Sequence, residues 1–195
     1  MKSILLIYGL VYLLSVSPTY MVDNDKICWQ ENVILTVNDF QSLYPPVPEY
    51  VFKAQAWSKC SITVIRRSKK DGNDFCDVRV YFIKSKSWFE ISKTDSRINN
   101  EVLAHEQLHF DIEELVGRKI RKCADDYYKI NTKYSLELNS QIDCIFQERR
   151  ALHSLYDEET DHGAIENKQI KWKEIIKSEL DNLNDYKSTP KDCAM

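Results

Sequence analysis

The sequence lacks three features that each mark a class of protein: a cluster of basic residues, an apolar run long enough to cross a membrane, and a CxxC cysteine pair. Its formal net charge is -3, and its lysines and arginines are spread along the chain, which argues against nucleic-acid binding. Without a CxxC pair, neither a cysteine-based structural zinc site nor a thioredoxin-type redox site is expected. The sequence also contains no internal repeat and no low-complexity stretch, so we expect one globular domain.

The N-terminal segment has the pattern of a secretory signal peptide. A basic start at Lys2 is followed by an apolar run from Ile4 to Val16, which is shorter than the ~20 residues that a transmembrane helix needs. We therefore expect residues 1–20 to be removed after export. Residues 21–195 would then form a single secreted or periplasmic domain without stable membrane insertion.

All six cysteines follow this leader, and an even number in an exported chain favours disulfide bonds over free thiols. Two pairs are close in sequence across an expected chain reversal. The predicted pairs are Cys60 with Cys76 and Cys123 with Cys144.

The first half of the chain has the two-residue period of β-strands, and the second half has the period of helices. A strand is predicted at 33–37, and a hairpin is predicted from alternating runs at 50–65 and 78–82 on either side of the Asp71–Gly72 turn. No proline occurs between Asn99 and Thr189, so helices can dominate that span. The three helices are predicted at 99–128, 132–155 and 164–184. Antiparallel strands followed by helices are typical of an α+β fold.

The first predicted helix contains an HExxH motif, formed by His105, Glu106 and His109. Two histidines four residues apart project from one helix face about one turn apart, so both imidazoles can bind one zinc ion. The Glu106 side chain is rotated about 100° from His105, which favours contact with a metal-bound water over contact with the metal. Glu113, on the same helix, is a candidate to orient His109 through a hydrogen bond.

The third zinc ligand is less well defined, because the motif does not continue as HExxHxxGxxH. The cluster of acidic, Tyr and His residues at 156–163 offers His162 or Asp157, and Glu148 on the second predicted helix is another candidate. We rank His162 first, Asp157 second and Glu148 third. Tyr156 is the predicted donor of a hydrogen bond to the oxyanion of the transition state, and His153 is the alternative donor.

Residues 103–112 and 156–163 together resemble an uncharacterised family of secreted bacterial zincin-like proteins. The resemblance extends to residues 38–40, 78–82 and Trp88, and so covers most of the chain after the leader. It implies a zincin-like sheet with an active-site helix and a metallopeptidase activity, but it indicates no substrate. A shared fold is weaker evidence for function than for architecture.

These patterns predict a secreted metallopeptidase that uses Zn²⁺ and hydrolyses a peptide or amide bond, with Glu106 as the general base. The substrate would be a peptide or protein, with a cell-wall peptide as an alternative. A different class of function also fits the sequence, namely an exported binding protein held together by disulfides, with a metal site that does not catalyse. The sequence does not indicate an oligomeric state.

Overall fold

A long central helix organises the computed structural model, which describes residues 23–46 and 55–193. The predicted signal peptide therefore lies outside the described residues. The strands are β1 Lys26–Cys28, β2 Ala56–Trp57, β3 Cys60–Ser68, β4 Asp74–Ile83 and β5 Trp88–Phe89, and the helices are α1 Ser96–Tyr128, α2 Leu136–Thr160, α3 Glu166–Asn182 and α4 Pro190–Cys193. Strands precede helices along the chain, which confirms the predicted α+β class.

The larger sheet is antiparallel and has the strand order β1-β4-β3, and β2 pairs with β5 in a separate small sheet. The predicted hairpin is confirmed for β3 and β4, which pair from Cys60 to Ser68 around a turn that contains Gly72 with φ +85°. Glycine suits this turn because an L side chain rarely adopts a positive φ. Residues 50–54 of the predicted first run lie outside the described residues, and residues 56–57 form β2 and pair with β5 instead.

The strand predicted at 33–37 is wrong. Residues 37–39 form a 3-10 turn, and the preceding residues form no strand. Leu35 is buried in the core, but its backbone N–H donates to the side-chain oxygen of Gln107 at 2.8 Å. A side chain of α1 thus satisfies the hydrogen bond that a neighbouring strand would otherwise have supplied.

Helix α1 separates two layers. The buried side chains of β4 pack against one of its faces, where Val80 and Phe82 meet Phe110, and Val78 meets Val116. A third apolar cluster joins the opposite face to α2 and α3, and it consists of Leu108, Ile112, Leu115, Tyr156, Trp172 and Ile176. The helix is therefore covered by the sheet on one side and by helices on the other, which buries the histidine motif between elements.

All three long helices were predicted, and the main difference is at the end of α2. This helix begins after Ser135, whose hydroxyl accepts from the N–H groups of Glu137 and Leu138, and it continues to Thr160. The predicted end was residue 155. The extra turn places Tyr156 and Asp157 on the helix instead of in a loop.

The structure contains a disulfide between Cys28 and Cys193, which links β1 to α4 with a Cα–Cα distance of 5.6 Å. The predicted pair of Cys60 and Cys76 is wrong, since Cys60 lies opposite Phe82 in the β3–β4 ladder and Cys76 lies opposite Arg66. Nearness in sequence across the hairpin thus does not bring the two thiols together.

The second predicted pair is also not formed. Cys123 and Cys144 both have free thiols, and the Cys123 thiol donates to the side-chain oxygen of Gln141 instead. Of the predicted disulfide framework, the general expectation of a disulfide is confirmed and both specific pairs are wrong. Within residues 23–46 and 55–193, no helix is long and apolar enough to cross a membrane.

Candidate metal centre

The candidate site lies where α1 and α2 run antiparallel. On α1, His105, His109 and Glu113 follow each other at one-turn intervals along one face. On α2, the opposing face carries Arg149, His153, Tyr156 and Asp157. Asp157 lies opposite His105 and His109, His153 lies opposite His109, and Arg149 lies opposite Glu113, so each turn of one helix faces a turn of the other.

Three side chains converge with their donor atoms almost in contact. The Oδ1 atom of Asp157 is 3.1 Å from Nε2 of His105 and 2.9 Å from Nε2 of His109. The two Nε2 atoms are themselves 3.1 Å apart. His105 is almost fully buried, whereas the Asp157 side chain is partly exposed, so the cluster opens to solvent on the Asp157 side.

The His105 ring is held on both its face and its edge. It stacks on Tyr156 with ring centroids 4.6 Å apart and an angle of 20°. Its Nδ1 atom lies 3.3 Å from the side-chain oxygen of Gln169 on α3, and the same oxygen accepts from the Tyr156 hydroxyl at 2.8 Å. Because an amide oxygen can only accept, Nδ1 of His105 carries a proton, so that in the neutral ring the lone pair is on Nε2, the atom that faces the cluster.

On the other side of the cluster, Nδ1 of His109 lies 2.8 Å from Nδ1 of His153, and Nε2 of His153 lies 3.1 Å from Oε1 of Glu113. Arg149 donates to the same carboxylate, with its Nε 2.8 Å from both oxygens. Burial alone would raise the pKa of Glu113, but the hydrogen bonds from His153 and Arg149 outweigh it and hold the pKa below its ordinary value.

Opposite charges also shift the pKa values of the ionisable groups in the cluster. Burial would raise the pKa of Asp157, yet its hydrogen bonds to His105 and His109 lower that pKa well below the ordinary range. For His109, burial would lower the pKa, but the hydrogen bond to Asp157 and the negative charge of Glu106 raise it. The cluster thus has a strong preference for a positive charge, which either a proton or a metal ion can supply.

Glu106 is 5% exposed and follows His105 on the inner side of α1. Among the described residues, its carboxylate makes no hydrogen bond, although its charge acts on His109. Its carboxylate oxygens are not fully buried, since the Tyr81 hydroxyl is the one fully buried side-chain group without a partner among the described residues, so the carboxylate keeps contact with solvent. The role of Glu106 as a general base stays a prediction.

His162 lies at the rim of the cluster, on a turn with unusual backbone angles. Asp161 and His162 have positive φ values of 47° and 53°, and Gly163 follows with φ +88°. The His162 side chain is 62% exposed, and its Nδ1 is 3.8 Å from Oδ1 of Asp157. Donor atoms of His105, Asp157 and His162 all lie within 4.8 Å of one another, so His162 is near the cluster without reaching its centre.

The structure thus places the three ligand candidates differently. Asp157 is in contact with both histidines of the motif, His162 is at the rim, and Glu148 forms an exposed ion pair with Lys119. The Tyr156 side chain is fully buried, and its hydroxyl is used by Gln169 and by the backbone oxygen of His105. In this arrangement the buried Tyr156 hydroxyl supports His105, and its predicted role as an oxyanion donor stays a prediction.

Two residues of the site were missed by the sequence analysis. Gln169 orients His105, and Arg149 neutralises Glu113. The helical spacing of residues 149, 153, 156 and 157 could have predicted that Arg149 lies on the same face of α2 as the site residues. Nothing in the local sequence distinguishes Gln169 from other polar residues of α3.

A comparison of the chain with protein-family models, with curated proteins and with solved structures finds no match. The resemblance to secreted bacterial zincin-like proteins therefore stays a prediction. The case for a function depends on the geometry of the cluster alone.

Proposed function

We propose that this chain is a zinc-dependent metallopeptidase in which His105, His109 and Asp157 hold the metal and Glu106 is the general base. The observation that carries the proposal is the convergence of three donor atoms, 2.9 to 3.1 Å apart, directly beside the Glu of an HExxH helix. Export after removal of residues 1–20 is part of the same proposal.

The donor set fits zinc in both chemistry and dimensions. Tetrahedral zinc with bonds of ~2.0–2.1 Å places its ligand atoms about 3.3 Å apart, and the donor atoms of the cluster need to separate by only a few tenths of an ångström. Two imidazoles and one carboxylate are a common catalytic set, which leaves the fourth position for water or substrate. Since Nδ1 of His105 is already bonded to Gln169, its Nε2 is free for the metal.

Each protein group has a defined task in the proposed reaction. Bound zinc would lower the pKa of water to about 7 and polarise the carbonyl of the scissile bond. Glu106 takes the proton from the attacking water and transfers it to the leaving amine. Asp157 and the two imidazoles hold the reacting centre in place, and Tyr156 and Gln169 fix the plane of the His105 ring.

The test measures zinc content and affinity in the purified protein spanning residues 21–195 and in three variants. We expect about one zinc per wild-type chain, loss of that zinc in His109→Ala and Asp157→Ala, and retention in His162→Ala. His162→Ala is the matched control because it removes a neighbouring imidazole without removing one of the three converging donors. Loss of zinc from His162→Ala with retention in Asp157→Ala would overturn the ligand assignment.

Catalysis is tested separately with Glu106→Gln, which preserves size and removes basicity. This variant should keep its zinc while hydrolysis of a quenched fluorescent peptide library falls by roughly 10²-fold or more. A zinc-loaded wild-type protein without activity on peptides or on cell-wall peptides would instead favour the non-catalytic metal-binding function.

A further inference from the structure

We propose that His153 is a positioning residue that, together with Glu113, fixes the tautomer of His109 so that His109 presents Nε2 to the metal. This inference rests on the proposed metal site, and it assigns a task to the second half of the α1–α2 contact. That half consists of Arg149, His153, Glu113 and the Nδ1 edge of His109.

Glu113, His153 and His109 are connected in that order by hydrogen bonds, and the Glu113 end determines which atom donates in each bond. The Glu113 carboxylate is 2% exposed and held by Arg149, so it is ionised and can only accept. Nε2 of His153, 3.1 Å from Oε1 of Glu113, must therefore be the donor. A neutral His153 with its proton on Nε2 has a lone pair on Nδ1.

That lone pair determines the state of the next ring. Nδ1 of His109 lies 2.8 Å from Nδ1 of His153, and a bond between them requires His109 to carry a proton on Nδ1. The lone pair of a neutral His109 is then on Nε2, which is the atom 2.9 Å from Asp157 and 3.1 Å from His105. Glu113 thus acts on His109 through His153, and not directly as the sequence had indicated.

Two further contacts support a positioning role for His153. Its ring stacks on that of His109 with centroids 5.1 Å apart and an angle of 28°. Both of its nitrogens are used within the protein, one by His109 and the other by Glu113. His153 is therefore not available as the oxyanion donor that the sequence offered as an alternative to Tyr156.

The test compares His153→Phe with His153→Gln. Phenylalanine preserves the ring stacking and removes both hydrogen bonds, whereas glutamine can offer an amide oxygen to His109 and an N–H to Glu113. We expect zinc affinity, measured by chelator competition, to fall about 10- to 100-fold in His153→Phe. His153→Gln should recover most of that loss. A purely steric role would give the opposite order.

A second measurement needs no variant. In the metal-free wild-type protein, ¹⁵N NMR should show a proton on Nδ1 of His109, whether or not Nε2 is also protonated towards Asp157. Absence of a proton from Nδ1 of His109, or a zinc affinity of His153→Phe within twofold of wild type, would overturn the proposal. If the wild-type protein binds no zinc, the proposed function fails, but the NMR result still decides whether His153 sets the His109 tautomer.

Discussion

Replacing Gly163 by alanine tests whether the turn after α2 controls the His105 ring. A Cβ at this position would lie 3.0 Å from Cβ, 3.1 Å from Cγ and 3.3 Å from Nδ1 of His105, all closer than ordinary contacts. The residue also has φ +88°, which costs an L residue roughly 1–2 kcal/mol. Forcing a methyl group against a packed ring adds about 1–3 kcal/mol.

Gly72 provides a matched control, because it has a similar φ of +85° but no atom within 4 Å of the position of its Cβ. We expect Gly72→Ala to lower the free energy of unfolding by about 1–2 kcal/mol and to leave zinc affinity unchanged. Gly163→Ala should cost about 2–5 kcal/mol and weaken zinc binding tenfold or more, since displacing the ring disturbs its bond to Gln169.

The assay is urea unfolding of the metal-free variants, followed by chelator competition for zinc. Equal loss of stability in Gly72→Ala and Gly163→Ala would mean that the backbone angle alone accounts for the effect. If zinc affinity of Gly163→Ala also equalled that of the wild type, the proposed link between this turn and the His105 ring would be refuted.

Three further predictions concern stability and pH. Glu114→Gln leaves the buried guanidinium of Arg118 without its carboxylate and should lower the free energy of unfolding by about 3–5 kcal/mol, and a loss under 1 kcal/mol in urea unfolding would contradict this. Cys193→Ser removes the disulfide to Cys28, which closes most of the chain, and should cost about 2–5 kcal/mol by the same assay. Zinc affinity should fall as the pH decreases, by ~10-fold per pH unit for each proton that zinc displaces. Because the pKa of His109 is raised, this fall should begin above the ordinary histidine pKa. Isothermal titration across this range checks the slope, and a pH-independent affinity would argue against imidazole ligands.

The parts of the fold that were predicted correctly depend on local patterns. The β3–β4 hairpin follows from residue alternation around Asp71–Gly72, and the helices follow from apolar periodicity in a span without proline. The failures involve distant partners. The run at 33–37 has β-branched residues but pairs with a glutamine side chain instead of a strand, and Cys28 bonds to a cysteine 165 residues away.

The residues of the candidate site show the same difference between features set by local sequence and features that depend on distant partners. His105, Glu106 and His109 were identified because an i, i+4 pair is set within one helix, whatever packs against it. Glu113 was identified as a support of His109, but the intervening His153 was not, because that contact depends on the register between α1 and α2. A register between helices is decided by packing and is not expressed in either sequence alone.

The third ligand shows how a boundary of a few residues changes a functional assignment. With α2 ending at residue 155, Asp157 and His162 would share one loop, and an imidazole would be the better zinc ligand of the two. Because α2 continues to Thr160, Asp157 is held by regular helix against both histidines, whereas His162 follows on an exposed turn with positive φ. A metal ligand must be held in a fixed position relative to the other ligands, and a packed helix holds a side chain more precisely than an exposed turn does. The helix geometry therefore supports Asp157 over His162 in the proposed ligand set, and it leaves His162 at the exposed rim of the cluster.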